Sequence, residues 1–252
     1  MTDPVVRTER IGRVLLVRMN RPDKRNAINA EMTAGLDAAL NELDDDPDLW
    51  AGVLTGTDAF FCAGTDLANG SGDPTPRGGP YGVVSRTRRT PLIAAVEGFA
   101  YGGGFELALA CDLVVAAETA TFGLPEVARG VIATSGALFR APRALPVNVA
   151  KEMLLVGRPQ TAQRMWSFGV VNELCGTGEA VATALTLAEA MCTNSPTSVR
   201  ETLLAIEATV SADDEAGWAA TARGLEIVHA SADLREGIDA FLNKRSPEWS
   251  GR

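Results

Sequence analysis

The sequence predicts an α/β fold in which strands alternate with helices early and helices dominate late. Two patterns carry this reading. Three apolar runs, Trp50 to Thr55, Pro91 to Val96 and Leu113 to Ala117, each lead through a tight turn to a short second apolar stretch. From Val147 onward the spacing becomes helical. Val199, Leu203, Ile206 and Val210 mark one amphipathic face, and Leu234, Ile238 and Phe241 mark another.

In chain order, Val14 to Met19 is β-branched and apolar and reads as a strand. Arg21 to Asn29 is a polar turn region containing Pro22. A helix should follow, because Met32, Leu36, Leu40 and Leu43 recur at helical spacing until Pro47 stops the pattern. The first run leads to Phe60-Phe61-Cys62-Ala63-Gly64, and Asn69 to Pro80, rich in Gly, Pro and Ser, is expected to be a mobile loop. The second run leads to Gly98-Phe99-Ala100-Tyr101 and a triple glycine. The third passes through Glu118-Thr119 to Thr121-Phe122-Gly123. One repeated supersecondary unit suggests a stacked or spiral arrangement, though its period is irregular.

A length of 252 residues suits one large domain, and 46% hydrophobic with 22% charged residues is ordinary for a globular protein. The net charge of −9 argues against nucleic acid or an anionic membrane as the main partner, while leaving room for a small anionic ligand. Cys62, Cys111, Cys175 and Cys192 form no C-x-x-C pair, so reduced thiols in a cytoplasmic protein are expected. Met-Thr-Asp-Pro at the start shows no secretory pattern, and no apolar stretch is long enough for a membrane span. A single histidine, His229, makes a His-dependent triad or His-rich metal site improbable, and no metal site is expected. The triple glycine does not read as G-x-G-x-x-G, and no phosphate-binding P-loop is present.

Four segments could carry chemistry. Gly102-Gly103-Gly104 precedes an apolar run in which Glu106 is the only charged residue. Glycines permit close approach of a ligand to the backbone, and free N–H groups at a helix start favour negative charge, such as a thioester oxygen becoming an enolate. A carboxylate among apolar residues is costly unless paired or protonated, which suits acid/base work; a helix-start glutamate reaching solvent is the plainer alternative. Glu126 follows Pro125 in Thr121-Phe122-Gly123-Leu124-Pro125-Glu126, and alone it would read as a surface glutamate. Phe60 to Leu67 ends in a small-residue turn whose N–H groups could form half of an anion site, or a plain strand-to-helix turn. Arg21 to Asn26 is a basic knot that could meet phosphates, or a solvated charged turn.

Taken together these segments resemble the enoyl-CoA hydratase/isomerase, or crotonase, family. The resemblance runs from about Val14 to Arg245. It rests on Asn20-Arg21-Pro22 with Asn26-Ala27, Val53-Leu54-Thr55-Gly56, Phe61 to Leu67, Pro91 to Val96, Gly102 to Asp112, Phe122 to Glu126, and Gly157-Arg158. It implies a crotonase-like spiral of ββα units over residues 1–195, holding the active site, and a helical C-terminal oligomerisation region over residues 196–252. Trimers, often paired as hexamers, are implied as well.

The resemblance also implies the site. Backbone N–H groups at Thr65 and Gly103 would form an oxyanion hole. Glu106 would activate a water for attack at the β-carbon of a 2-enoyl-CoA, and protonated Glu126 would deliver a proton to the α-carbon. Coenzyme A would enter as part of the substrate, with no permanently bound cofactor. Lys24, Arg25 and Ala27 would lie near its phosphorylated adenosine. Ala63, Asp66 and Leu67 would line the substrate, the last two beside the pantetheine. Phe241 and Lys244 match a late Phe-x-x-Lys that can reach a neighbouring subunit's ligand.

One departure stands out: Gly130 to Ala137 lacks the proline and one glycine of the family's usual Gly-x-x-Pro-x-x-Gly-Gly. That turn shapes the water site and acyl pocket. Gly104 to Ala110, Leu145-Pro146 and the ending Lys244 to Arg252 resemble the carnitinyl-CoA dehydratase branch. Besides the hydratase, an isomerase using Glu126 alone and a non-catalytic acyl-CoA-binding subunit remain open from sequence.

Overall fold

A computed structural model describes residues 3–250. Met1 and Thr2, within the start read above, and Gly251 and Arg252, within the carnitinyl-like ending, lie outside the described residues.

The chain runs through β1 (Val6–Ile11), β2 (Val14–Met19), α1 (Ala30–Asp45), β3 (Ala51–Thr55), β4 (Leu92–Val96), β5 (Phe99–Tyr101), α2 (Gly103–Leu109), β6 (Leu113–Ala117) and β7 (Thr121–Gly123). It continues through α3 (Ala137–Ala144), α4 (Val147–Val156), β8 (Gln160–Thr161), α5 (Ala162–Ser167), β9 (Glu173–Cys175), α6 (Ala180–Cys192), α7 (Pro196–Val210), α8 (Asp214–Ala230) and α9 (Ala232–Leu242).

The large sheet has the order β1-β2-β3-β4-β6-β9, parallel except for the antiparallel edge strand β1. Its central strands are buried on both faces, which is why they read as unbroken apolar runs. Their side chains alternate: Leu15, Val17, Leu54, Leu92 and Ala94 enter the main core with α1 and α2. Val14, Leu16, Val53, Ile93 and Ala95 enter a second core against Ala180, Ala184 and Ala188 of α6. Three alanines at four-residue spacing present one small-residue stripe of α6 to the sheet.

The repeated strand–turn–strand unit is present. β4 feeds β5, β6 feeds β7, and β3 leads to Cys62, which bridges Ala100 in parallel. The third short strand expected at Phe60 to Gly64 is thus a single bridge. A three-stranded sheet, β5-β7-β8, carries these second strands.

The segment Asn69 to Pro80 is anchored along α1 rather than free. Thr33 Oγ1 donates to Ser71 O at 2.6 Å, Thr75 Oγ1 donates to Asp37 Oδ1 at 2.7 Å, and Arg77 pairs with Asp45 at 2.6 Å. Its glycines allow the close packing that makes those contacts possible. The late helices form as the spacing predicts, but the α7 face bearing Ile206 and Val210 is solvent-exposed in the single chain.

Candidate active site

Three chain segments reach one place because their strands are parallel neighbours. β5 pairs with β7 so that Tyr101 lies opposite Gly123, and Gly102 N donates to Gly123 O at 2.8 Å. On the other side Tyr101 N donates to Cys62 O at 2.9 Å. The residues just past these points, Ala63 to Thr65, Gly102 to Glu106 and Leu124 to Glu126, therefore gather at the carboxyl ends of the small sheet. That is where ligands bind in open α/β sheets.

Glu106 sits in the first turn of α2 and is 2% exposed. Its Oε1 accepts from Ser135 N at 2.7 Å and Ala137 N at 3.0 Å. The departing turn Ala133 to Ala137 is thus the support of this carboxylate. Burial pushes Glu106 up to about 7, against the pull of the Ala137 and Ser135 amides and the Arg140 charge.

Glu126 opens a short 3-10 turn, Glu126–Arg129. Its Oε2 is buried and has no hydrogen-bond partner among the described residues. Burial, with the Glu106 charge next in weight, raises it to about 8. The two carboxyls thus feel one another, and their environments differ: one is held by two amides, the other has a bare oxygen. Glu106 is the one better able to ionise.

Gly102 has φ +55°, and a Cβ there would lie 3.3 Å from Glu126 Oε1. Gly64 has φ +94°, and its Cβ would lie 2.8 Å from Tyr101 O and 2.9 Å from Gly103 N. Only glycine fits such a backbone at such a separation. Gly64 and Gly103 are therefore in direct apposition, which brings Thr65 and Gly103 side by side. Among the described residues no backbone carbonyl accepts from Thr65 N or Gly103 N.

The segment 25–28 runs against 63–66. Ala63 N donates to Arg25 O at 3.1 Å, Ile28 N to Gly64 O at 2.8 Å, and Asp66 N to Ile28 O at 2.9 Å. Ala27, Ala63 and Thr65 are partly exposed along this track, with Leu67 beyond, while Lys24 and Arg25 project from a 3-10 turn at its outer end. Asp66 is instead a brace: its carboxylate accepts from Arg21 at 2.8 Å and Asn69 at 3.1 Å. Phe241 lies apart from this track. Its ring is 5.2 Å from the Arg129 guanidinium, at the far end of the turn that Glu126 opens. Lys244 is exposed beyond α9 at φ +53°.

Three contributors were given no role of their own from the sequence, although Asn26 and the turn holding Ser135 were noted there. Asn26 is buried, accepts from Arg21 N at 2.9 Å and donates to Phe61 O at 2.9 Å, fixing the outer turn to the site. Ser135 supplies a Glu106 amide. Tyr81, 4% exposed, meets Thr65 Oγ1 with its hydroxyl at 2.8 Å. A signal existed for Tyr81: it is one of two tyrosines and stands between Gly78-Gly79-Pro80 and Gly82.

Comparison with known proteins gives the chain's family. A family model described as enoyl-CoA hydratase/isomerase matches residues 9–252. A mevalonyl-coenzyme A hydratase of Aspergillus fumigatus is 38% identical, covering 94% of this chain and 91% of its own length. A carnitinyl-CoA dehydratase of Proteus mirabilis is 36% identical over 96% of each chain. The crystal structure of a carnitinyl-CoA hydratase from Mycobacterium avium superposes with a TM-score of 0.94 at 42% identity, over 100% of both chains.

Proposed function

We propose that this chain, which belongs to the enoyl-CoA hydratase/isomerase family and is a lyase within it, adds water reversibly to a 2-enoyl-CoA thioester to give a 3-hydroxyacyl-CoA. The observation that carries the reading is the pair of buried carboxyls, one held by two amides and one with a bare oxygen.

In this mechanism the thioester carbonyl is received by the Thr65 and Gly103 amides, each worth roughly 3–4 kcal/mol as charge develops on the oxygen. Ionised Glu106 takes a proton from water as that water attacks C3. The electron pair moves onto the thioester oxygen as an enolate, and protonated Glu126 then delivers its proton to C2. Lys24 and Arg25 meet the phosphates of coenzyme A, with Ala27, Ala63 and Leu67 along the track and Asp66 bracing it. Coenzyme A is carried by the substrate, and the mechanism calls on no other cofactor.

A dehydratase acting on a polar acyl group such as carnitinyl is the second reading. It is favoured by the carnitinyl-CoA hydratase likeness at 42% identity. Both readings use the same two carboxyls.

Homotrimer or hexamer assembly is part of the proposal. It is supported by the exposed apolar side chains Leu155, Val156, Ile206, Val210 and Ile227, which lack cover in one chain. Phe241 and Lys244 would then meet a neighbour's ligand. Among the described residues no helix is long and apolar enough to cross a membrane, and a cytoplasmic location is proposed.

The test adds crotonyl-CoA and carnitinyl-CoA-type thioesters and follows gain or loss of the conjugated thioester absorbance. Hydratase or dehydratase activity should collapse in both Glu106→Gln and Glu126→Gln. Activity with a 3-enoyl thioester that survives Glu106→Gln would instead mark an isomerase.

A further inference from the structure

Tyr81 stands out as a buried, hydrogen-bonding side chain that the mechanism above does not use. It sits at φ +58°, a left-handed conformation that a bulky residue adopts only when its surroundings impose it. Its surroundings do so from several sides. Arg86 donates to Gly82 O at 3.4 Å, and Arg140 Nη2 donates to Val84 O at 2.6 Å. The phenol is thereby delivered to the centre of the site. Its hydroxyl is 2.8 Å from Thr65 Oγ1, and a Cβ built on Gly103 would lie 2.5 Å from that hydroxyl and 2.8 Å from Cζ.

We propose that Tyr81 is a positioning residue for the oxyanion site: its hydroxyl, bonded to Thr65 and lodged against Gly103, fixes the two amide-bearing segments relative to one another. Thr65 and Gly103 come from different parts of the chain, and their backbones are linked through Gly64, which has no side chain to brace the gap. Tyr81 supplies the brace from the opposite side. The inference rests on the oxyanion role of the two amides proposed above.

Because the bond acts on the geometry of the hole, its loss should be felt where charge develops on the oxygen more than in ground-state binding. Tyr81→Phe keeps the ring against Gly103 and removes only the oxygen. It should lower kcat by about 10-fold with KM changed by less than about 3-fold. Thr65→Val removes one partner of the hydroxyl, which also has Ser135 within reach, so the double variant should be little worse than Tyr81→Phe alone, since the Phe change already deletes the Thr65 bond. An enolisable 3-ketoacyl-CoA, which places negative charge on the oxygen, should bind the Phe variant more weakly, while a saturated acyl-CoA should bind it as it binds the parent.

Unchanged kcat in a folded Tyr81→Phe protein, equal weakening of both ligands, or additive effects of the two substitutions would each overturn the inference. If the parent enzyme turns over no 2-enoyl or 3-hydroxyacyl thioester, the proposed function fails. A failure confined to the Phe variant leaves that function standing.

Discussion

Glu106 makes the folded protein less stable as pH rises, and replacing it with Gln should remove that penalty. Burial raises this carboxyl from 4.5 to about 7 in the fold. The unfolded chain loses the proton near the lower value, so between the two the folded state binds more protons. Stability is therefore full at low pH and is lost progressively as pH rises through about 7. At about 1.36 kcal/mol for each tenfold change in proton affinity, the loss is about 3 kcal/mol.

Gln has the same shape, carries no proton to lose, and its carbonyl can still accept from the Ser135 and Ala137 amides. The assay is thermal unfolding of parent and variant at one protein concentration, from about pH 4, below the unfolded value, to about pH 9. For a chain of this size about 3 kcal/mol corresponds to roughly 6–12 °C in Tm. The variant should gain on the parent by that amount as pH rises. The remaining loss, from Glu126, should move to lower pH, because the Glu106 charge that helps to raise it is gone. Parallel curves for parent and variant across the whole range would refute the assignment of Glu106 as a carboxyl that ionises at a cost in the fold.

Other expectations concern activity and packing. With Glu106 required ionised and Glu126 protonated, kcat/KM should follow a bell whose maximum lies between about 7 and about 8, read from initial rates across pH. A flat profile through that range would count against the acid/base pair. Gly102→Ala places a Cβ 3.3 Å from Glu126 Oε1 on a backbone at φ +55° and should cost about 1–3 kcal/mol in urea unfolding, with most activity lost. Lys24→Ala with Arg25→Ala should raise KM for an acyl-CoA about 10-fold and make it less sensitive to salt, with kcat retained; a pantetheine thioester lacking the nucleotide should feel neither change.

Much of the fold was legible because its central strands are buried on both faces. Val14 to Met19 and Leu92 to Val96 have no polar face to blur the pattern. β1 was invisible for the opposite reason: VRTERI is an edge strand with four exposed central residues, and its identity comes from pairing with β2. The α7 stripe of Val199, Leu203, Ile206 and Val210 was readable as amphipathic, but its spacing does not say that Ile206 and Val210 stay exposed in the single chain.

The site was legible in parts. A lone carboxylate in an apolar run singled out Glu106, whereas Glu126 was noticed after Pro125 but read alone as a surface glutamate, and only the resemblance gave it a role. Their convergence depends on the parallel register of Tyr101 with Gly123, a long-range pairing that no local spacing encodes. Tyr81 lay in a stretch whose Gly and Pro content signals a loop. Such content does not reveal that Thr33, Asp37 and Asp45 hold that loop to α1, nor that the bracing turns a phenol toward Thr65.

The most direct test of two carboxyls acting on one water is isotopic. A saturating 2-enoyl-CoA is incubated with the enzyme in oxygen-18-enriched deuterated water, and the product is examined by mass spectrometry and NMR. Addition by Glu106 and Glu126 requires solvent oxygen at C3 and one deuteron at C2 in the same molecule, with both lost in either Gln variant. Deuterium at C2 or C4 without solvent oxygen at C3 would contradict water addition and leave proton transfer alone.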